Sequence, residues 1–175
     1  MKKLFTLMMV LALCLCSFAA LAEAPSEINW SDFQAITETV EGDFYAFSDY
    51  NLQIWVPSYF QEGEITEEES AEGIIGYMTT PDGAYSMVIQ DVDVSGMSID
   101  EYADALAQVE GVSGIEKMTV NGLAAVGYDI NDRDVSTITF TTESGKVLEF
   151  SFSPISDEGF AQMAMCMTAS IQPIQ

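Results

Sequence analysis

Leu52, Ile54 and Val56 alternate with Asn51, Gln53 and Trp55, the period-two pattern of a strand with one apolar face. The strand spans residues 50–56, and Pro57 ends it because proline has no N–H to give a ladder. Residues 43–47, rich in aromatics, predict a strand just before it. Residues 74–80 and 84–94 predict two more strands around Pro81-Asp82-Gly83, whose fixed and positive φ angles suit a turn. Residues 115–120 and 123–130 flank Asn121-Gly122, the dipeptide favoured in two-residue hairpins. A last pair, 135–142 and 146–153, turns at Ser144-Gly145, with Leu148, Phe150 and Phe152 marking its buried face.

Three segments switch to a helical period. Ile99, Tyr102, Ala103, Leu106 and Val109 recur at steps of three and four. Ser98 and Glu101 form a capping box at the start, and Gly111 can close the helix in a left-handed cap. Over residues 157–171, Phe160, Met163, Ala164, Met167 and Ile171 share one face, with Cys166 on its flank. Ser31 and Gln34 are spaced as a capping box beside Trp30, predicting a short helix over 31–40 that its β-branched residues weaken. Residues 23–29 read as a flexible leader, and 58–72 as a polar connection carrying Glu67-Glu68-Glu69.

The order is helix, four strands, helix, four strands, helix, with no internal repeat and no compositional break. Consecutive hairpins imply a mainly antiparallel β-sheet flanked by helices, an α+β fold. One domain occupies residues 43–175, preceded by a leader and short helix at 23–42.

The first 22 residues have a separate logic. Lys2 and Lys3 precede an apolar run from Leu4 to Phe18, followed by Ala20-Leu21-Ala22. That is the pattern of a secretory signal peptide over residues 1–22, cleaved after Ala22. The expected location is the medium, the cell-envelope exterior or the periplasm. A lipoprotein reading, prompted by Cys14 and Cys16, meets Leu13 and Leu15 where a small residue is needed. No later stretch reaches the roughly 20 apolar residues of a membrane-spanning helix.

Charge narrows the partners. All 28 acidic residues lie beyond residue 22, where Lys117, Arg133 and Lys146 are the remaining cations. Such a field repels nucleic acid and anionic membrane, and favours a basic protein or cationic ligand. It also serves solubility alone. Once Cys14 and Cys16 leave with the leader, Cys166 has no intramolecular partner. It reads as a small buried hydrophobe, so the core and not a disulfide must hold the fold.

The run YNLQIWVPSYF from Tyr50 to Phe60 resembles the opening strand of PsbP-like domains. The Pro81-Asp82-Gly83 hairpin, the amphipathic helix after Val94, VNGL from Val120, KVLEFSF from Lys146 and a closing helix near Asp157 continue the likeness over about residues 43–172. The resemblance implies an α/β/α sandwich around an antiparallel sheet. It also implies the roles of that family: extrinsic subunits of photosystem II, nuclear-import accessory factors and bacterial exported proteins, none of them hydrolytic. It carries no functional residue onto this chain.

Histidine is absent, which removes the commonest general base and metal ligand, the Ser-His-Asp and Cys-His nucleophile pairs and ordinary zinc sites. Paired carboxylates would still permit a hydrolase, although 28 acids place many pairs together by chance. Calcium is the cofactor the sequence leaves open, through Asp129, Asn131, Asp132 and Asp134 at a turn. The EF-hand spacing fails there: Arg133, Asp134 and Phe140 stand at its fifth, sixth and twelfth positions. Asn and Asp are also ordinary turn residues. A partner surface is expected at Trp55, Tyr59 and Phe60 if no helix covers their face, and core packing if one does. The expected function is an exported, non-enzymatic binding or accessory domain. A low-affinity calcium binder and a carboxylate-dependent hydrolase are the alternatives.

Overall fold

Asn121 and Gly122 both take positive φ, 48° and 80°, and turn strand β7 (Val112–Val120) back as β8 (Leu123–Ile130). That handedness matches the twist of the flanking strands. The computed structural model describes residues 26–94, 96–142 and 146–174. The expected signal peptide at 1–22 and the Ser144-Gly145 turn lie outside the described residues. The remaining strands are β1 (Ser26–Ile28), β2 (Gly42–Phe47), β3 (Leu52–Pro57), β4 (Gln61–Glu62), β5 (Ile74–Thr79), β6 (Ser86–Val92), β9 (Val135–Thr141), β10 (Val147–Ser153) and β11 (Gln172–Pro173).

Eight strands form one sheet in the order β1-β7-β8-β9-β10-β6-β5-β4, antiparallel except for the β1–β7 pair. A second, three-stranded sheet has the order β11-β3-β2. Register places Phe150 opposite both Ile138 and Ile89, so three neighbouring strands turn apolar side chains the same way. Against that face lie Ile54 and Val56 of the small sheet, and Phe160, Ala164 and Met167 of the helix α3 (Glu158–Ala169). Each fully buried side chain of this kind contributes about 1.5–3 kcal/mol. The opposite face receives the helix α2 (Ile99–Leu106), whose Ala103 and Leu106 pack on Val126 and Tyr128. The architecture is the α+β, mainly antiparallel one expected, with the small sheet sharing the inner layer with α3.

Several local expectations change. Residues 26–28 of the supposed leader are a strand, parallel to β7 ninety-odd positions away, and Asn121 N–H donates to the Ile28 carbonyl. In place of a helix over 31–40 there are two 3₁₀ turns, Trp30–Asp32 and Gln34–Ile36. The Thr37 and Thr39 hydroxyls donate to the carbonyls of Gln34 and Ile36, and such back-bonding competes with α-helix propagation. The 58–72 connection contains β4 and a short helix α1 (Glu67–Ala71), started by a capping box between Thr66 and Glu69. Helix α2 has the Ser98–Glu101 capping box but stops at Leu106. Gly111 has positive φ yet caps nothing there; its carbonyl accepts from Asn131 N–H. Among the described residues no helix is long and apolar enough to cross a membrane.

Candidate aromatic binding site

Phe44 on β2 stands opposite Trp55 on β3 in the antiparallel register, so both rings project from one face of the small sheet. Trp30 covers that face from the first 3₁₀ turn. Its ring lies 6.0 Å from Trp55, tilted by 37°, and 6.2 Å from Phe44 at 85°. Asn121 holds it there: its Oδ1 accepts from Trp30 N–H at 2.8 Å, and its amide donates to the carbonyls of Ala169 and Ile171 at 2.7 Å each. A hairpin residue thus ties the Trp30 turn to the end of α3. Gly42 lies flat against the Trp55 indole, where a Cβ would come within 2.5 Å of ring carbons. Trp30, Phe44 and Trp55 are the aromatic lining of an open depression of about 540 Å³, with Gly42 and Glu38 also at its edge and the Asp43 side chain turned to the other face of β2.

Trp55, Tyr59 and Phe60 do not form one exposed patch. Trp55 is 2% exposed, because the Trp30 segment covers its face. Phe60 is buried too. The chain turns after Pro57, with Phe60 N–H donating to the Pro57 carbonyl, and the Phe60 ring meets Phe160 of α3 at 6.3 Å. Tyr59 remains exposed beside it. Phe44, missed from sequence, is the exposed aromatic next to Trp55. Its alternation with Tyr45 was visible, but its pairing with Trp55 depends on register.

The four oxygen-bearing residues considered for calcium do not converge. Asp134 takes positive φ, 54°, and its carboxylate accepts from both the N–H and hydroxyl of Ser156. Asn131 Oδ1 accepts from the Ser113 hydroxyl at 2.8 Å. Asp129 and Asp132 place their carboxylates beside Gly114 and Gly111. Asp134 and Asn131 thus tie the turn to distant serines. Among the described residues, no group of three or more acidic or cysteine side chains is arranged to hold a metal ion.

A buried carboxylate, Glu149, and a part-buried one, Asp91, form separate networks. Glu149 Oε1 accepts from the hydroxyls of Tyr102, Tyr128 and Thr139 at 2.6, 2.8 and 3.2 Å. Burial first, and the adjacent Glu149 carboxylate second, hold both phenols well above the ordinary tyrosine range. Asp91 Oδ2 accepts from Tyr50 at 2.8 Å and from Lys146 at 2.6 Å, while its buried Oδ1 has no partner among the described residues. Burial and the bond to Asp91 push the Tyr50 phenol up to about 12. Cys166 is fully buried, and burial pushes its thiol up to about 12.

No protein-family model matches the chain, and no curated protein is similar to it in sequence. The solution structure of cyanobacterial PsbP (CyanoP) from Synechocystis sp. PCC 6803 is similar in fold, with a TM-score of 0.54 at 10% identity. The likeness covers 76% of this chain and 92% of that one. The fold is therefore PsbP-like and α+β.

Proposed function

We propose that this chain is an exported, non-catalytic binding domain that docks a basic partner protein at its acidic surface. The observation that carries the reading is the aromatic depression with Glu38 in its lining. Exposed aromatic faces beside a carboxylate suit contact with a cationic side chain. The acidic field favours a cationic partner, since Lys117 and Lys146 are each engaged by a carboxylate, Asp100 at 2.7 Å and Asp91 at 2.6 Å. Export rests on the charged, apolar and small-residue pattern of residues 1–22. The non-catalytic reading rests on the missing histidine and on Glu149 facing hydroxyls instead of a second acid.

The test is capture on the immobilised protein from the producing organism's envelope and medium, elution by rising salt, and direct binding of the purified captive. A basic protein released at modest salt, and not retained by an unrelated fold of matched negative charge, is expected. Equal retention on both overturns the reading.

A further inference from the structure

We infer that the depression between Trp30 and Phe44 is a cation cage, seating a lysine or arginine side chain of an extended segment laid along β2. This rests on the basic-partner reading and names its point of contact. Three observations converge. First, the walls are aromatic and nearly perpendicular, Trp30 against Phe44 at 85°, with the covered Trp55 ring beneath them. Ring faces attract ammonium and guanidinium groups, tryptophan most strongly. Second, Glu38 is in the lining and no basic residue is, so a cation placed there meets complementary charge without displacing a resident one. Third, the depression borders β2, the end strand of the small sheet. Residues Asp43, Phe44, Tyr45 and Ala46 of that strand are exposed. An end strand offers one row of backbone donors and acceptors to an added chain. Side chains of an added strand alternate between its two faces, so every second residue would face the Phe44 side. Gly42 carries no side chain to stand between the strand and the indole.

Trp30 and Trp55 are the two tryptophans of the chain, so indole emission reads the site directly. The purified protein is titrated with an alternating Lys-Thr peptide, its norleucine-Thr counterpart and tetramethylammonium chloride. The Lys-Thr peptide is expected to alter indole emission. Phe44→Ala, and separately Glu38→Gln, are expected to weaken its binding about tenfold. The distant pair Glu67→Gln, Glu68→Gln, on α1, is expected to weaken it far less. Circular dichroism melts confirm that each variant is folded; Phe44 is 42% exposed and its truncation spares the core. Equal weakening by the distant pair overturns the cage and leaves the acidic surface as the docking agent. Equal binding of the norleucine peptide makes the depression a plain apolar groove and also overturns it. Tetramethylammonium binding as tightly as the peptide overturns the polypeptide occupant. No change of emission with any probe overturns the cage, while the capture experiment separately decides the basic-partner reading.

Discussion

Tyr102 of α2 donates its hydroxyl hydrogen to Glu149 of β10 across 2.6 Å, tying the helix to the middle of the large sheet. Tyr128 and Thr139 donate to the same oxygen. Three hydroxyls thus replace the water that a buried carboxylate would otherwise lose. Glu149→Ala leaves them without their acceptor and is expected to cost about 2–4 kcal/mol in urea unfolding. Tyr102→Phe removes one donor and is expected to cost about 1–2 kcal/mol. A cost below that for both variants would show that water fills the network freely.

The tyrosines set an alkaline limit. A phenol whose pKa is higher in the folded than in the unfolded protein binds its proton more tightly when folded. Its contribution is intact below the unfolded value of about 10 and declines as pH rises through it. For Tyr50, held up to about 12 by burial and its bond to Asp91, the decline runs from about pH 10 to about pH 12. Tyr50→Phe is expected to flatten the stability–pH slope in that window. Denaturant midpoints measured across the window check this, and an unchanged slope would remove Tyr50 from the account.

Much of the secondary structure was local enough to read. The alternation of Leu52, Ile54 and Val56, the Asn121-Gly122 hairpin and the apolar face of α3 each depend on residues close in sequence. What escaped depends on partners far along the chain. Glu149 sits between Leu148 and Phe150 as an outward polar residue should, yet α2 covers its face and leaves it 7% exposed. Trp55 was correctly placed opposite the apolar face, but its cover is a pair of 3₁₀ turns where a regular helix was expected. The β1–β7 pairing joins segments separated by the whole of the first half of the fold, and three residues carry no period by which to find it. The Asp129, Asn131, Asp132 and Asp134 cluster showed ligand chemistry without geometry; the structure pairs Asn131 and Asp134 with the distant Ser113 and Ser156.

Cys166 is expected to be silent to thiol reagents in the native protein. It is 0% exposed within the main core, and burial alone lifts its thiol to about 12, so little thiolate exists at neutral pH. Labelling should proceed at the rate of unfolding and become rapid in denaturant. Rapid labelling under native conditions would mean that α3 detaches locally. Cys166→Ser buries a hydroxyl in an apolar setting and is expected to cost about 1–3 kcal/mol.

Asn121 anchors the Trp30 backbone, and Asn121→Gly isolates that contribution. Glycine keeps the positive φ of the turn at no steric cost, while removing the acceptor for Trp30 N–H and the donor to Ala169 and Ile171. The hairpin should therefore persist, and the loss should appear as a stability decrease of about 1–3 kcal/mol. Indole emission should shift to the red as Trp30 loosens from Trp55 and water reaches both rings. Gly42→Ala attacks the same contact from the strand side, pressing a methyl group into the Trp55 ring, and is expected to cost about 1–3 kcal/mol. If the depression is the binding site, both variants should weaken the Lys-Thr peptide. Stability loss with unchanged peptide affinity would separate the architecture of the aromatic cluster from recognition.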